Sequence, residues 1–409
     1  MKVPRCKGTR DLMPQDMARF RQVEGIFREC CQAWGYQEIR TPTLEYLHLF
    51  TSVGTLTPDM LSRVYSFLDW DGWSGERVVL RPDGTIPAAR LYVENLQYLS
   101  GAKLFYVENV FAFDSTGKEP RERWQCGVEL IGGNTIEGDV ELIMLALEAI
   151  AKLGIEPVDI RLSHAGLIKT LLDGVGLSVE QHASILDQVF AGNLDVLDGI
   201  EGRTPELEKS LKILFGLRGD TPGFVENLRG AFLPSFPELE PSLDNLGAVA
   251  CLLTDLGCSY QIDFTSGRGF EYYTGTIFGF YSADRRLGRG GRYDELIPLV
   301  GGKGISASGF ALYIDEFMSL GRELLVRDRI LVRGKDPEVK SCFEACRLLR
   351  EAGHVAELHL GCQKAADFRW IVDIDGEDEL GLTDQISGKK KHKLSFAMLV
   401  ETIEEAGCR

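Results

Sequence analysis

Lys103-Leu-Phe-Tyr-Val107 is the first of three short apolar runs; the others are Val110-Phe-Ala-Phe113 and Gln125-Cys-Gly-Val-Glu-Leu-Ile-Gly132. Runs of this length that are rich in Val, Ile and aromatic residues are typical of β-strands. No segment between them is long enough for a crossover helix, so the spacing predicts antiparallel pairing. Residues 114–123 are then the polar connection of a hairpin.

The segments around these runs predict helices that flank a sheet. Apolar residues recur at intervals of three and four over residues 14–33, which is the pattern of an amphipathic helix. Gln37 to Thr43 resembles a strand interrupted by Pro42. Further elements are predicted as a helix over 137–153, a helical insertion over about 165–250, and strands at Tyr260–Phe264 and Thr276–Tyr281. A mainly antiparallel sheet with flanking helices predicts an α+β domain.

The chain has 409 residues, which is more than one hydrophobic core usually serves, so two domains are expected, 1–325 and 326–409. The second begins after Arg327-Asp-Arg329 with strands at Ile330–Val332, Val355–Leu358 and Trp370–Asp373. A helix over about 337–352 and a second helix alternate with these strands. This β-α-β-α-β order predicts a small parallel α/β domain.

Composition narrows the class of function. The formal net charge of -16 argues against a protein that grips a nucleic-acid backbone, because phosphate binding needs a basic surface. The ten cysteines include no CxxC pair and the six histidines are scattered, so neither a disulfide framework nor a metal site is predicted. No apolar signal core or long apolar stretch is present, and a cytoplasmic protein is expected.

Three groups of residues could carry chemistry. Arg268-Gly-Phe-Glu-Tyr-Tyr-Thr-Gly275 offers a guanidinium and the two hydroxyls of Tyr272 and Tyr273, although it could equally be a polar turn. Arg81-Pro-Asp-Gly-Thr85 brings a carboxylate and a hydroxyl together, or is only a turn. Gln125 and Glu129 share one strand face, where they could bind an ammonium group or an imidazole nitrogen, or simply face solvent.

Six motifs together resemble the core of the class II histidyl-tRNA synthetases in order and spacing. They are Lys7-Gly-Thr-Arg-Asp11, Gly35-Tyr-Gln-Glu-Ile-Arg-Thr-Pro42, Arg81–Thr85, Gln125-Cys-Gly-Val-Glu129, Arg268–Gly275 and Gly290-Gly-Arg-Tyr-Asp294. The resemblance implies a class II synthetase-like antiparallel sheet and a C-terminal domain similar to a degenerate anticodon-binding domain. It also implies a site for free histidine, formed by Asp83, Thr85, Gln125, Glu129, Arg268, Tyr272, Tyr273 and Tyr293.

Roles within that site follow from the same resemblance. Asp83 and Gln125 would hold the α-amino group, and Arg268 would lie near the carboxylate. Glu129 and Tyr273 would take the two imidazole nitrogens. Asp83 stands where the synthetases usually have the longer Glu.

Two departures bear on activity. Ala112 and Glu316 occupy positions at which the synthetases have arginines that contact the phosphates of ATP. An alanine cannot pair with a phosphate and a glutamate repels it, so the positioning of ATP and the stabilisation of the transition state are lost. Arg121 or Arg123 could compensate in part.

The combination resembles the family of ATP phosphoribosyltransferase regulatory subunits, which are paralogues of the synthetases. That resemblance implies a non-catalytic subunit that uses no cofactor, binds free histidine and partners the short-form catalytic subunit in the first step of histidine biosynthesis. It further implies a dimer within a hetero-octamer, feedback by histidine, and no role for tRNA or a membrane. The alternatives are an active histidyl-tRNA synthetase or another histidine-activating ligase, and a histidine-dependent sensor of another partner.

Overall fold

The chain forms two compact units, Met1–Arg322 and Glu323–Arg409, in a computed structural model. The structure describes residues 3–53, 61–69, 75–116, 118–133, 135–174, 179–190, 193–199, 204–266, 272–320, 328–334, 339–376 and 379–407.

The α-helices of the described residues are α1 (Pro14–Ala33), α2 (Leu47–Ser52), α3 (Thr85–Leu91), α4 (Ile136–Lys152), α5 (Ala165–Asp173), α6 (Val179–Phe190), α7 (Pro205–Gly216), α8 (Pro222–Phe232), α9 (Glu240–Asp255), α10 (Leu296–Leu299), α11 (Ile314–Leu320), α12 (Val339–Glu351) and α13 (Phe396–Gly407). The strands are β1 (Gln37–Glu38), β2 (Leu44–Tyr46), β3 (Ser66–Leu68), β4 (Arg77–Leu80), β5 (Ala102–Phe111), β6 (Glu122–Ile131), β7 (Asp159–His164), β8 (Tyr260–Ile262), β9 (Thr276–Ser282), β10 (Arg285–Arg292), β11 (Ala307–Tyr313), β12 (Arg329–Gly334), β13 (Val355–Leu358), β14 (Trp370–Gly376), β15 (Glu379–Asp384) and β16 (Lys390–Leu394).

The first unit is built on an eight-stranded sheet in the order β1-β5-β6-β11-β10-β9-β7-β8. The two outermost pairs, β1 with β5 and β7 with β8, are parallel, and the five inner pairs are antiparallel. The predicted hairpin is confirmed as β5 and β6, and the flanking helices confirm the α+β fold.

The prediction of separate strands at 103–107 and 110–113 was wrong, because β5 is continuous. The polar pair Glu108 and Asn109 resembled an interruption, but both side chains have partners. Glu108 accepts hydrogen bonds from the backbone N–H and the hydroxyl of Thr41, at 2.5 and 2.8 Å. Asn109 accepts from Arg81 at 2.9 Å and donates to Glu122 at 2.8 Å. Paired polar groups can lie inside a strand without breaking it.

One face of this sheet packs on helices. Phe27 of α1 meets Phe105 of β5 edge to face, with ring centroids 6.0 Å apart, and Phe105 lies opposite Val128 of β6. The helix α1 has the predicted bounds and stops at Gly35, whose φ of +80° is the left-handed conformation that ends many helices. Side chains alternate along a strand, so Tyr106 and Gly127 face away from α1.

The segment from Gln37 to Tyr46 joins two sheets rather than forming the single strand predicted. It gives β1 to the large sheet and β2 to a separate antiparallel sheet in the order β2-β4-β3. Pro42, which has no N–H to donate, lies in the connection between them. The helices α5 to α9 then lie in or beside the region predicted as a helical insertion.

The second unit has a mixed sheet, β13-β12-β14-β15-β16. Its first three strands are parallel, as predicted, but β15 and β16 are added antiparallel. The second crossover helix was a wrong prediction, since the connection before Trp370 contains only a short 3-10 turn, Ala365–Asp367. Gly361, at φ +85°, turns the chain there, which an α-helix would not permit.

Candidate functional site

The sheet face that points away from α1 has a floor of small residues. Gln125, Gly127 and Glu129 share this face of β6, and Gly127 lies between Tyr106 of β5 and Ala311 of β11. A Cβ at Gly127 would lie 2.1 Å from Cζ of Tyr106, so only glycine allows the tyrosine ring to lie there. Even spacing on one strand therefore brings Gln125 and Glu129 to one side of the sheet, as the sequence indicated.

Glu129 is the centre of a buried hydrogen-bond network. Its side chain is 1% exposed. Tyr106 donates its hydroxyl to Oε1 at 3.1 Å, and Tyr293 donates its hydroxyl to Oε2. Burial raises the pKa of Glu129 to about 8, although hydrogen bonds from Tyr293 and Thr85 oppose that rise. Near neutral pH this carboxyl is consequently poised to gain or lose a proton.

Asp83 lies beside this network on the turn that starts α3. Its Oδ1 accepts the backbone N–H of Ile86 at 2.8 Å, which fixes the carboxylate at the beginning of the helix. Burial raises the pKa of Asp83. The turn is held from behind by Arg81, which is 3% exposed and lies 2.7 Å from the buried Glu108. A rigid ion pair thus positions a second carboxylate near Glu129.

Three tyrosines cover the same region. The rings of Tyr272 and Tyr273 are 4.9 Å apart, and that of Tyr293 is 5.8 Å from Tyr272 and 6.4 Å from Tyr273. The charge of Asp83 adds to the effect of burial in raising the pKa of both Tyr272 and Tyr273, which places both hydroxyls near that carboxylate. Arg268 lies outside the described residues.

The tyrosine-bearing segment 272–276 is attached to α5. Lys169 of α5 donates its ammonium to the carbonyl oxygen of Tyr273 at 3.0 Å. The backbone N–H of Ala165, the first residue of α5, donates to the carbonyl oxygen of Gly275 at 2.9 Å. The position of Tyr273 therefore depends on α5.

We call Asp83, Thr85, Tyr106, Gln125, Glu129, Tyr272, Tyr273 and Tyr293 the Glu129 cluster. The structure brings together Asp83, Thr85, Glu129 and the three tyrosines, and it places the half-buried Gln125 on the same sheet face. Their role in binding histidine stays a prediction.

At Ala112 and Glu316, the two positions predicted to have lost phosphate-binding arginines, the local contacts are internal. The backbone N–H of Ala112, just after β5, donates to the carbonyl oxygen of Arg121 at 3.1 Å. Glu316, in the first turn of α11, is paired with Arg285 at 2.6 Å. Its neighbour Asp315 is paired with Arg10. Both carboxylates, Asp315 and Glu316, therefore already have cationic partners.

The two arginines that could compensate are also engaged. Arg121 donates to the carbonyl oxygen of Asp114 at 2.9 and 2.5 Å and lies 4.8 Å from the ring centre of Phe113. Arg123 is paired with Glu119 at 3.0 Å. Both hold the hairpin connection, so reaching a phosphate would require these contacts to break.

Sequence reasoning missed two members of the region, Tyr106 and Arg289. Tyr106 is fully buried, and only the register of β5 against β6 places its hydroxyl at Glu129. Arg289 of β10 lowers the pKa of Asp83 and of Tyr273 by its positive charge, against the effect of burial. The available signal was an arginine between Gly288 and Gly290, a cation with unusually small neighbours on a strand.

In the described parts of the chain, no group of three or more His, Cys, Asp or Glu side chains could hold a metal ion. None of the helices in those ranges is long and apolar enough to span a bilayer.

Comparison with known proteins defines the class first. The family model for histidyl-tRNA synthetase matches residues 8–317, which include the whole Glu129 cluster. A histidine–tRNA ligase from Methanosarcina acetivorans is 36% identical over 331 residues, covering 78% of this chain and 76% of the relative. The fold is therefore that of a class II histidyl-tRNA synthetase.

Within this class, some regulatory subunits of ATP phosphoribosyltransferase are more similar to this chain than the ligase is. An ATP phosphoribosyltransferase regulatory subunit from Dehalococcoides mccartyi is 48% identical over 391 residues, 95% of each chain. A solved structure from Bacillus halodurans, described as an ATP phosphoribosyltransferase regulatory subunit/histidyl-tRNA synthetase, superimposes with a TM-score of 0.79 at 25% identity, covering 92% of this chain and 99% of that one. The chain belongs to the ATP phosphoribosyltransferase regulatory subunits, within the histidyl-tRNA synthetase family. These names agree with the prediction of a regulatory subunit rather than an enzyme.

Proposed function

We propose that this chain binds free histidine in the Glu129 cluster and conveys histidine feedback to the short-form catalytic subunit of ATP phosphoribosyltransferase. The observation that carries the proposal is the buried carboxyl of Glu129, which accepts hydroxyls from Tyr106 and Tyr293 beside a second carboxylate, Asp83. Such a site suits a ligand with an imidazole and an ammonium group.

The chemistry of Glu129 supports imidazole as its partner. With a pKa near 8, the carboxyl is largely protonated in the free protein at neutral pH. An imidazole N–H placed against it favours the ionised form, because a carboxylate accepts that bond more strongly than a neutral acid does. The ligand's own pKa lies close to neutrality, so the proton can pass from Glu129 to the imidazole.

The alternative of an active synthetase or another histidine-activating ligase has weaker support. ATP needs cations at its phosphates, whereas Ala112 supplies none and Glu316 supplies a negative charge. Glu316 is paired with Arg285, and Arg121 and Arg123 hold the hairpin connection. Histidine binding without activation is the function that these contacts favour.

An exposed apolar surface supports the proposed assembly. Tyr46 and Phe67 both lie opposite Val78 in the small sheet, so they share a face, and with Leu44 they are 43%, 41% and 49% exposed. We assign this face to a homodimer, which would form part of a hetero-octamer with catalytic subunits.

Buried free thiols at Cys30, Cys31 and Cys126 fit a reducing compartment, the cytoplasm.

Calorimetric titration of the purified chain with L-histidine tests the binding step. We expect saturable binding that Glu129→Ala abolishes or weakens by about a hundredfold, since removing a charged hydrogen-bond partner costs up to about 3 kcal/mol. Glu148→Gln, on α4 and hydrogen-bonded to Trp34 and Lys152, is the matched control. Equal affinity in wild type and Glu129→Ala would contradict the assignment.

Reconstitution tests the regulatory step. The chain is mixed with the separately purified short-form catalytic subunit, the complex is isolated by size exclusion, and its turnover is titrated with histidine. We expect a stable complex whose activity exceeds that of the catalytic subunit alone and falls as histidine is added. If histidine binds but no complex forms, a sensor acting on another partner replaces this proposal.

A further inference from the structure

Arg289 projects onto the same sheet face as the Glu129 cluster. In the register of the sheet it lies opposite Ala311 of β11 and Gly279 of β9, and Ala311 lies opposite Gly127. Directly paired residues of antiparallel strands point to one face. A row runs from Arg289 over Ala311 and Gly127 to Tyr106, with no large side chain between the arginine and the tyrosine.

The neighbouring position on β10 fixes this orientation. A Cβ at Gly291, two residues along the strand and hence on the same face, would lie 3.0 Å from the Tyr273 ring. Arg292 lies on the opposite face, where it is buried and forms an ion pair with Asp139 at 2.7 Å. Arg292 is a structural cation of the helix-covered side, whereas Arg289 is half-buried on the side of the cluster.

The charge of Arg289 reaches three groups of the cluster. It lowers the pKa of Asp83, of Tyr272 and of Tyr273, in each case against the effect of burial. These groups come from two separate segments, the turn before α3 and the tyrosine-bearing segment. An anionic group bound among them would therefore meet the guanidinium.

We propose that Arg289 and Asp83 form a zwitterion-binding pair, in which Arg289 binds the carboxylate of the ligand and Asp83 its ammonium group. This proposal rests on the proposed histidine site and goes beyond it by naming a second carboxylate-binding cation, apart from Arg268. A guanidinium can hold a carboxylate through two parallel N–H donors. The pair selects amino acids over amines, so an imidazole ligand without a carboxylate binds poorly.

The test compares L-histidine with histamine, which keeps the imidazole and the ammonium group but lacks the carboxylate. Dissociation constants for both ligands are measured by calorimetry on wild type, Arg289→Gln and Arg289→Lys. Arg286→Gln, on the same strand with its guanidinium 6.0 Å from the ring centre of Tyr313, is the control for loss of one positive charge. Circular dichroism melts verify that each variant is folded.

In wild type and Arg286→Gln, histamine should bind at least about tenfold more weakly than histidine. In Arg289→Gln that ratio should fall severalfold without reaching one, because histidine loses its contact with Arg289 while Arg268 would still lie near its carboxylate, and the affinity for histamine does not change. Arg289→Lys keeps the charge without the planar guanidinium, so its ratio of histamine to histidine dissociation constants should lie between those of wild type and Arg289→Gln. If Arg289→Gln does not fold, Arg289→Lys alone provides the test.

Failure takes two distinguishable forms. If histidine binds and Arg289→Gln and Arg289→Lys both keep the wild-type ratio, the zwitterion-binding pair is overturned while the histidine site stands. If the wild type binds neither ligand, the proposed histidine site and this inference fall together.

Discussion

Replacing Glu129 with Gln should remove a pH dependence from the stability of the fold. The side chain is 1% exposed, and its burial raises the pKa from 4.5 to about 8. Between those two values the folded protein keeps a proton that the unfolded chain has lost. The free energy of unfolding then falls as the pH rises.

The sign and size follow from that shift. Because the folded pKa is raised, the stability linked to this group is fully present below the unfolded pKa and is lost as pH rises toward the folded pKa of about 8. Each pH unit in the middle of this window changes the free energy of unfolding by about 1.4 kcal/mol. From pH 5 to pH 7 the loss from Glu129 is about 2.5 kcal/mol. Gln is similar in size and does not titrate, so Glu129→Gln should not show this loss. Between pH 5 and pH 7 its free energy of unfolding should therefore rise by this amount relative to that of the wild type.

Urea unfolding followed by circular dichroism at pH 5, 6 and 7 measures the difference. Glu148→Gln is the matched control, since the hydrogen bond from Lys152 lowers the pKa of Glu148 and its contribution runs in the opposite direction. A constant difference between Glu129→Gln and wild type across this pH range would refute the reasoning. It would mean that Glu129 is ionised in the folded protein throughout.

Four further outcomes are expected. Histidine at a hundredfold excess over its dissociation constant should stabilise the chain by about 2.7 kcal/mol, and an unchanged melting temperature would contradict its binding. Tyr293→Phe removes a hydroxyl donor to Glu129 and should weaken histidine binding about two- to tenfold in calorimetry. The control Tyr46→Phe should leave the affinity unchanged, and equal affinities of the two variants would show that Tyr293 does not contribute to histidine binding. ATP–pyrophosphate exchange should stay at the level of a preparation without the chain, because Ala112 and Glu316 cannot hold the phosphates, and exchange above that level would restore the synthetase alternative. In the reconstituted complex, Glu129→Ala should raise the histidine concentration for half-inhibition about tenfold or more and leave uninhibited turnover unchanged. The reason is that weaker histidine binding must weaken inhibition if the two are thermodynamically linked, and unchanged inhibition would mean that histidine acts at another site.

Local patterns predicted the parts of the fold that depend on local rules. Period-two spacing placed Gln125 and Glu129 on one face, and the apolar spacing of α1 gave its bounds. Pairing between distant segments was harder to infer. The large sheet inserts β11 and β10 between β6 and β9, and no short-range pattern specifies that order.

The same limit explains the residues that sequence reasoning missed. Tyr106 joins the Glu129 network because β5 and β6 have one particular register, and a slip of one residue would turn its hydroxyl to the other face. Arg289 becomes relevant only once β10 lies two strands from β6. In the second unit, the antiparallel addition of β15 was missed because the run Trp370–Asp373 does not specify whether the chain then turns back in a hairpin.

The attachment of the tyrosine-bearing segment to α5 has a mechanical consequence. Glu129 lies on the large sheet, whereas the carbonyl oxygens of Tyr273 and Gly275 accept hydrogen bonds from Lys169 and Ala165 of α5. A ligand that contacts both Glu129 and Tyr273 would link the sheet to α5 and restrict their relative motion. Binding of that ligand should then be measurable as increased resistance of α5 to proteolysis and amide exchange.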